Sequence, residues 1–211
     1  MIIKNLSGFL LLPLALFIFA VSDATAKYMS AYFAVPLLVW VRYLTQLVFM
    51  LATVAPGMGR EIVVTSRPWV MILRGGMQVA STMLGLMAFR TLPLAETTAL
   101  VFLTPLLVAL LAGPMLGEKI HLRSWLATVA GFAGVLLIVR PGGDMDGVGV
   151  VYALGAALCY SLYQILTRKL AASEPPMRQL FYLALVGSVV MSLFLPLFWT
   201  NTVPTLKQAV L

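Results

Sequence analysis

Charged side chains stand inside long apolar runs of this sequence, where an ionisable group is costly. Arg42 lies in VPLLVWVRYLTQLVFML, and Asp23 lies near the end of GFLLLPLALFIFAVSDATAK. Insertion scales put a charged residue at the centre of a bilayer at about 2.5–3.5 kcal/mol. Such residues either join two helices as an ion pair or face a cavity that receives an anionic or polar ligand. Both interpretations are open for Asp23 with Arg42, and Lys27, one helical turn after Asp23, is the alternative partner.

A second set of polar side chains follows the period of an α-helix. Arg74, Gln78 and Ser81 recur at four- and three-residue spacing in an otherwise apolar stretch. Such a stripe faces a bundle interior or a cavity, because lipid offers it no hydrogen bonds. Gln78 is the stronger cavity candidate. Arg74 stands near one end of its stretch, so its side chain either lines the cavity or reaches out to the headgroups.

Tyr160 and Gln164 stand one helical turn apart in another apolar run, and Tyr163 lies beside them. Aromatic rings near the middle of a bilayer can stack on a planar ligand, whereas tyrosines at the end of a membrane helix commonly anchor it at the interface. The predicted ligand-binding set is therefore Asp23, Arg42, Arg74, Gln78, Tyr160 and Gln164.

Four further residues are predicted to shape or gate the helices. In GPMLGEKIHLRSWL, Gly117 suits the left-handed conformation that ends many helices. Glu118 then lies at headgroup level, where it either caps the next helix or takes part in gating. Glu96 opens an apolar run, where a carboxylate favours a helix N-terminus or serves as a gate. Pro105 interrupts the middle of the same run and predicts a kink.

Covalent and metal chemistry have few candidate residues. Cys159 is the only cysteine and His121 the only histidine, so the chain has neither an internal disulfide nor the ligands of an ordinary metal site. The segment GGDMDG at 142–147 is typical of a turn between helices. The last long apolar run contains no lysine that could form a Schiff base. The sequence therefore predicts neither an enzyme nor a bound cofactor.

The composition identifies a lipid bilayer as the surroundings of these residues. Hydrophobic residues make up 62% of the 211 residues and charged residues 10%, with a mean hydropathy of +1.02. A bilayer core of about 30 Å takes about 20 apolar residues of helix, and a helix satisfies its own backbone in lipid. We predict an all-α polytopic membrane bundle. Its seven predicted spans are Gly8–Ala26, Phe33–Val54, Trp69–Phe89, Ala95–Leu116, Leu122–Val139, Val148–Leu166 and Leu180–Trp199.

The fifth predicted span carries small residues four apart, Ala127 with Gly131 and Ala130 with Gly134. Small residues at this spacing let two membrane helices approach closely. We therefore predict that this span packs tightly against a neighbouring helix.

The distribution of Lys and Arg predicts the orientation. With a cytoplasmic N-terminus, nine of the 14 basic residues lie on the cytoplasmic side and five on the other, as the positive-inside rule favours. The net charge of +7 then indicates contact with anionic headgroups rather than nucleic acid, because the basic residues form no continuous face. The first run has a second interpretation as a cleaved signal peptide, with ATA at 24–26 as the site. Its length and Asp23 favour a membrane span.

Two segments of the sequence repeat. GFLLLPLALFIFAVSDATAK (8–27) aligns without a gap with GVVYALGAALCYSLYQILTR (149–168), which matches Asp23 with Gln164 and Lys27 with Arg168. If the sixth span repeats the first, each repeat has five spans, and an odd number inverts the second copy in the membrane. Inverted repeats are typical of secondary transporters, whose ligand sites lie near the midplane between the halves. We predict a first unit at 1–143 and an incomplete second unit at 147–211.

Four segments resemble a known family. SDATAKY, VRYLTQLVFML, LPLAETTALVFLTPLLVALLAGPMLGEKI and WLATVAGFAGVLLIVRPGG are similar to the first half of EamA-like carriers of the drug/metabolite transporter superfamily. The bacterial branch that includes riboflavin and S-adenosylmethionine carriers is the most similar. The resemblance implies a multi-pass protein of the bacterial inner membrane that moves small polar or aromatic metabolites by alternating access. The alternative is a non-transporting membrane subunit or sensor built on the same helices.

The family has ten helices in two inverted repeats of five, whereas this sequence has seven predicted spans. A second repeat equal to the first would need roughly 70 residues beyond Leu211 and three more helices. Without them, polar groups such as those of Arg42 and Gln78 would meet lipid. We therefore expect the 211-residue form to be inactive in transport, and unstable or a homo-oligomer in detergent.

The predicted orientation can be tested by labelling single cysteines in a Cys159→Ser background. Asp144→Cys is expected to react with a membrane-impermeant thiol reagent added to intact cells. Lys119→Cys is expected to react only after the cells are opened, because its loop is predicted to be cytoplasmic. The reverse labelling pattern would contradict the orientation.

Overall fold

The computed structural model describes residues 2–117, 122–139 and 146–198, and these ranges are helices joined by short connections, with no strand among them. The all-α prediction is confirmed. A 3-10 turn at Gly59–Ile62 follows the third helix. In chain order the helices are α1 (Ile2–Ser30), α2 (Val35–Thr53), α3 (Ala55–Met58), α4 (Pro68–Thr91), α5 (Leu94–Val101), α6 (Thr104–Leu116), α7 (Leu122–Val139), α8 (Gly147–Ala171) and α9 (Pro176–Phe198).

Five helical segments of the described ranges are long and apolar enough to cross a membrane. They coincide with the second, third, fourth, sixth and seventh predicted spans. The first and fifth predicted spans fall on α1 and α7 and are helical over their predicted lengths. The five segments are Val35–Thr53, Pro68–Thr91, Leu94–Leu116, Gly147–Ala171 and Pro176–Pro196. The chain is therefore a multi-pass membrane protein.

Helices α4 and α8 form the most extensive contact of the described bundle, and they run antiparallel. At one end, a Cβ added to Gly149 would overlap the side chains of Thr91 and Leu92. At mid-length, the hydroxyl of Ser81 donates a hydrogen bond to the carbonyl oxygen of Ala156 at 3.0 Å. The face of α8 that lies on α4 is built from small residues, and this allows the close approach: Gly149, Ala153, Ala156 and Ala157 are all buried.

Helix α9 packs antiparallel against α2 and also contacts α4. The indole N–H of Trp40 donates to the hydroxyl of Ser192 at 2.8 Å. Further along, the ring of Tyr43 lies directly on Gly187, where a side chain would not fit. Met50 and Phe181 share a buried apolar cluster at the other end of this pair. The two helices after residue 146 therefore pack against the second and third predicted spans.

The fourth predicted span is two helices rather than one kinked helix. Helix α5 ends at Val101 and α6 begins at Thr104, whose hydroxyl donates to the carbonyl oxygen of Val101 at 2.6 Å. Pro105 lies in the first turn of α6, where the missing N–H is least costly. The interruption predicted at Pro105 is therefore a break in the helix.

The N-terminus and the C-terminus of the fourth predicted span are capped differently. Glu96 lies in the first turn of α5, where the helix dipole favours a carboxylate, but the N-cap residue Pro93 makes no side-chain cap. Gly117 ends α6 in the left-handed conformation, with φ 70° and ψ 17°, and its amide donates to the carbonyl oxygen of Gly113 at 3.0 Å. The predicted helix end at Gly117 is confirmed. Glu118 lies outside the described residues.

The close packing predicted for the small residues of α7 is wrong for the described part of the chain. Ala127, Ala130 and Gly131 are exposed, and a Cβ at Gly131 or Gly134 would meet nothing within 4 Å. Ala127 and Gly131 instead line a cavity of about 390 Å³ together with Phe102, Pro105, Leu106, Thr128 and Phe132. The break between α5 and α6 borders this cavity, so α7 faces an interrupted helix instead of a continuous one.

The close contact between α2 and α9 predicts that a methyl group added at Gly187 destabilises the protein. Gly187→Ala places a Cβ into the ring of Tyr43, and overpacking of this kind typically costs about 1–3 kcal/mol. Gly85→Ala in α4 is the matched control, because its Cβ would meet nothing within 4 Å. We expect the unfolding temperature in detergent to fall for Gly187→Ala and not for Gly85→Ala. Equal unfolding temperatures for the two variants would contradict the close α2–α9 contact.

Candidate functional site

A buried guanidinium lies where α4 meets α8 and α9. Arg74 is 2% exposed, and each of its three nitrogens donates a hydrogen bond. Nε donates to the hydroxyl of Thr167 at 2.7 Å, Nη2 to the hydroxyl of Tyr163 at 2.9 Å, and Nη1 to the carbonyl oxygen of Gln179 at 2.9 Å. Within the described residues no carboxylate lies within 4.0 Å of it. Neutral groups of two other helices therefore hold a positive charge inside the bundle.

This placement excludes one of the two interpretations of Arg74. The side chain does not reach out to the headgroups, because its bonds all point into the bundle. The two hydroxyl groups that accept from Arg74 come from the same face of α8. Tyr163 and Thr167 are one turn apart on α8, and the Thr167 hydroxyl also donates to the carbonyl oxygen of Tyr163 at 2.7 Å.

Two tyrosine rings extend this site along α8. The guanidinium carbon of Arg74 lies 4.5 Å from the ring centroid of Tyr163, within the range of a cation–π contact. The ring of Tyr160 stacks on that of Tyr163, with centroids 5.7 Å apart and an interplanar angle of 12°. A row of one cation and two stacked aromatic faces is thus built from α4 and α8.

Polar groups continue from Arg74 along α4. Gln78 is one turn further on, and its Oε1 is buried with no hydrogen-bond partner in the described structure. Its backbone carbonyl accepts from the hydroxyl of Thr82 at 2.9 Å, and that hydroxyl lies 3.1 Å from the hydroxyl of Tyr43 on α2. An unmatched buried acceptor typically costs about 1–3 kcal/mol. The polar stripe predicted from the sequence does face the interior.

Helix α9 supplies two more unmatched polar atoms. Gln179 is 4% exposed, and its Oε1 has no hydrogen-bond partner among the described residues, although its side-chain amide donates to the carbonyl oxygen of Glu174 at 3.0 Å. The buried hydroxyl of Ser188 is likewise unmatched there. Helix α9 therefore buries two polar atoms that have no partner in the described part of the chain.

The predicted ion pair between Asp23 on α1 and Arg42 on α2 does not form in the described structure. Arg42 is exposed and Asp23 half-buried, and Arg42 exerts a Coulomb effect on Asp23. Their charged groups are more than 4.0 Å apart, so they form no ion pair. The alternative pairing with Lys27 is wrong. Lys27 instead donates to the carbonyl oxygens of Phe89 at 3.0 Å and Leu92 at 2.8 Å.

Lys27 belongs to a reciprocal arrangement between the ends of α1 and α4. While Lys27 bonds carbonyls at the end of α4, Arg90 of α4 donates to the carbonyl oxygens of Ser30 at 2.9 Å and Phe33 at 3.3 Å. Each helix thus ends on a cation from the other, which suits the negative pole of a helix dipole. From the sequence, Lys27 was a candidate partner of Asp23, and Arg90 was only one of the basic residues outside the predicted cytoplasmic side. The available signal was a basic residue in the last turn of each helix.

Gln164 is placed apart from the other predicted residues of α8. Its side chain is exposed, whereas Ser161 and Ile165 beside it are buried and Tyr160 is half-buried. The described structure therefore brings Arg74, Gln78 and Tyr160 into one polar region. It leaves Gln164 on the outer face of α8.

A carboxylate that the sequence analysis missed joins two loops. Glu174, between α8 and α9, is 3% exposed. Its Oε1 accepts from the hydroxyl of Thr65 at 2.6 Å and from the amide and hydroxyl of Ser66 at 3.2 Å, and its Oε2 pairs with Arg178 at 2.6 Å. Arg178 in turn donates to the carbonyl oxygen of Glu61 at 2.7 Å. These bonds tie the segment after α3 to the turn before α9.

The surroundings of Glu174 act on its acidity in opposite directions. Burial alone raises its pKa, but the hydrogen bonds from Thr65, Arg178 and Ser66 outweigh burial, so the pKa lies below the usual value of a glutamate. The carboxylate is therefore ionised across neutral pH. The partners on the loop lie more than 100 residues away in the chain, and no local pattern could have pointed to them.

Comparisons with known proteins find similar chains among membrane transporters. A family model described as the EamA-like transporter family matches residues 6–140. The S-adenosylmethionine uptake transporter of Rickettsia bellii (strain RML369-C) is 30% identical over 132 residues, which are 63% of this chain and 45% of that protein. The riboflavin transporter of Vibrio cholerae is 28% identical over 171 residues, 80% of this chain and 57% of that protein. The chain thus spans about half the length of these relatives.

Solved structures are also similar to this chain in three dimensions. A crystal structure matches with a TM-score of 0.65 over 89% of this chain and 66% of that chain, at 19% sequence identity. At that identity the match shows a shared fold.

The lowered pKa of Glu174 predicts a stability that depends on pH. A carboxylate with a depressed pKa stabilises the fold above its ordinary pKa of about 4.3, and this contribution is lost as the pH falls through the lower folded-state value. We expect Glu174→Gln to lower the unfolding free energy in detergent at pH 7 by about 1–3 kcal/mol. The difference from wild type should shrink towards acid pH. Glu61→Gln is the control, because only its backbone takes part in the tie. A constant difference between pH 7 and pH 3 would contradict the role of the charge.

Proposed function

Because this chain belongs to the EamA-like transporter family, we propose that it is a secondary transporter of a small polar or aromatic metabolite. The proposed location is the bacterial inner membrane, with a cytoplasmic N-terminus, and the proposed cycle is alternating access. No covalent chemistry takes part in the proposal. The relatives named for S-adenosylmethionine and riboflavin support a metabolite substrate, and both compounds contain a planar heteroaromatic ring system.

The observation that carries the proposal is the Arg74 site. A cation held only by neutral groups, beside two stacked tyrosine rings and an unmatched glutamine oxygen, offers a ligand one charge, one aromatic face and hydrogen-bond acceptors. Ionisable residues inside membrane proteins commonly mark substrate pathways. An aromatic ring or an anionic group of the ligand would find a complementary partner there.

The location of the site supports alternating access. All three hydrogen bonds of Arg74 run from α4, in the proposed first repeat, to α8 and α9, in the proposed second. A movement of one repeat against the other must break them. The tie of Glu174 to Thr65 and Ser66 crosses the same junction. We propose that this tie closes the cytoplasmic side in the described conformation and opens when the repeats move.

Transport can be measured in liposomes with the 211-residue form, which is expected to be inactive, beside a version extended through the downstream reading frame, in which the wild type and the variants are compared. We expect uptake of radiolabelled S-adenosylmethionine or riboflavin above that of empty liposomes. Arg74→Leu should lower it roughly tenfold or more, since a lost hydrogen bond to a charged group costs about 1.5–3 kcal/mol. Arg60→Leu, an exposed residue of the 3-10 turn, is the matched control and should transport normally.

A second variant protects this test against misfolding. Gln78→Leu removes a side-chain oxygen that has no partner in the described structure, so the fold loses no hydrogen bond of that atom. We expect a raised half-saturation concentration with a monodisperse protein. Normal transport by both Arg74→Leu and Gln78→Leu would overturn the site. If the wild type moved none of the solutes of a broad metabolite mixture, followed by mass spectrometry, a non-transporting role would replace the proposal.

A further inference from the structure

The connection between α3 and α4 is held in place from its inner side. Ile62, in the 3-10 turn, is buried in an apolar cluster with residues of α2 and α9. The phenol of Tyr182 on α9 donates to the carbonyl oxygen of Val63 at 2.7 Å. Two residues later, the hydroxyl of Thr65 donates to the carboxylate of Glu174 at 2.6 Å. These contacts fix which side of the connection faces the bundle and which side faces outwards.

The outer side of the same connection carries apolar and basic side chains. Val63 and Val64 are both exposed, and Trp69, in the first turn of α4, is 81% exposed. Arg67 lies between them in the chain, and its exposed guanidinium makes no hydrogen bond within the described residues. We call Val63, Val64, Arg67 and Trp69 the connection surface. Two adjacent valines and an indole are costly to leave in water, so this surface favours an apolar partner.

The connection lies where the chain leaves the membrane and enters it again. It joins two of the segments that are long and apolar enough to cross a bilayer, Val35–Thr53 and Pro68–Thr91. Tryptophan is enriched at the surface of the hydrocarbon layer, because its ring is apolar and its N–H group is polar. The connection surface is therefore level with the lipid headgroups and the upper part of the acyl chains.

Positive charge from α8 adds to that of Arg67. Arg168 and Lys169 are exposed in the last turn of α8. Glu174 follows the end of α8 by three residues, and its bond with Thr65 joins this turn to the connection. The basic residues of α8 and of the connection therefore lie at the same end of the bundle and face the same layer of headgroups.

The two acidic residues at this end of the described chain do not cancel that charge. Glu61 is exposed, but it lies beside Arg60 in the 3-10 turn, so the turn carries no net charge. Glu174 is buried and pairs with Arg178 at 2.6 Å. The charge of Arg67 and of the α8 end remains, and it favours an anionic partner.

We propose that the connection surface docks on the headgroups of anionic phospholipids. The two valines and the ring of Trp69 lie at the boundary of the acyl chains, and the guanidinium of Arg67 binds the phosphate groups above them. The surface is preformed, because the inner side of the connection is fixed to α9 and to Glu174. Apolar and basic side chains on one element are typical of segments that lie in a membrane interface. This inference goes beyond the proposed transport and does not depend on it.

Docking at this level also sets the depth of α4. Arg74 is five residues after Trp69, so at 1.5 Å per residue it lies about 7.5 Å further along the helix. A start of α4 that is fixed at the headgroups therefore keeps the buried guanidinium of Arg74 at a constant distance from them.

Lipid selection can be measured with the 211-residue chain in phosphatidylcholine liposomes that contain brominated phosphatidylglycerol or brominated phosphatidylcholine. Bromine quenches tryptophan fluorescence on contact, and the part of the quenching that Trp69→Phe removes reports the lipid at that position. We expect phosphatidylglycerol to associate there at least about fivefold more strongly than phosphatidylcholine, the ratio that one basic residue near an anionic surface supplies. A ratio of one would overturn the inference.

Charge variants show whether Arg67 causes the preference. Arg67→Gln should lower the ratio about fivefold, whereas Arg67→Lys, the matched control, keeps the charge and should keep the ratio. Glu61→Gln removes an exposed negative charge next to the surface and should raise the ratio. An unchanged ratio in Arg67→Gln would overturn the inference.

A spin label measures the depth of the connection surface without using its tryptophan. The label is attached to Val64→Cys in a Cys159→Ser background, and Val41→Cys, at an exposed position of α2, is the reference within the hydrocarbon layer. We expect the label at position 64 to collide with oxygen more than with a water-soluble nickel complex, at a depth between the phosphates and position 41. Greater access to nickel would place the connection in water. Shielding from both would place it under protein, such as a second copy of the chain, and either result would overturn the inference.

A soluble anion is the other source of phosphate chemistry. Inorganic phosphate in large excess over the lipid should change the ratio no more than sodium chloride at the same ionic strength, because both only screen the charges. A loss specific to phosphate would assign Arg67 to a soluble anion and overturn the inference. None of these measurements uses transport. A protein that moves no solute but selects phosphatidylglycerol would support the inference, and a transporter without this selection would contradict the inference alone.

Discussion

The bundle is organised by the need to satisfy a guanidinium that lies away from water. An arginine has five N–H donors and cannot give up its charge in a protein. Arg74 therefore requires acceptors from whatever surrounds it, and α8 and α9 supply a hydroxyl, a phenol and a carbonyl oxygen. These three bonds fix the relative register of α4, α8 and α9. The buried small residues of α8, from Gly149 to Ala157, then let the α8 backbone lie close to α4, so that these two helices stay in contact as far as the end of α4.

The two ends of the bundle are held by different chemistry. At the ends of α1 and α4, Lys27 and Arg90 bond backbone carbonyls, so these contacts depend on helix geometry and stay within the first five spans. At the other end, Glu174 bonds the side chains of Thr65 and Arg178 and joins the first part of the chain to the last two helices. The contact at the ends of α1 and α4 thus holds helices of the first part of the chain to one another, whereas the Glu174 contact holds that part to the last two helices.

Hydropathy alone predicted the helices well, because the length of an apolar run is set by the bilayer. The fifth predicted span has the same bounds as α7, and the second differs from α2 by two residues at its start and one at its end. The polar stripe of Arg74 and Gln78 was also readable, since its period is local. The partners of Lys27 and Arg90 could not be predicted. They are backbone carbonyl oxygens, which every residue has, so the sequence does not mark them. The spacing of small residues on α7 was misleading. Such spacing permits another helix to approach closely, but it does not show that a helix lies there.

The long sequence separation inside the Arg74 site also constrains how the protein is made. The acceptor on Thr167 lies 93 residues after Arg74 in the chain. At a synthesis rate of about 5–20 residues per second, it follows roughly 5–20 seconds later. During that interval α4 has already left the ribosome with a bare cation near one end. Because Arg74 lies near the start of α4, its side chain can reach the headgroups during that interval. The interior bonds of the third span therefore form only after the sixth has been made, out of chain order.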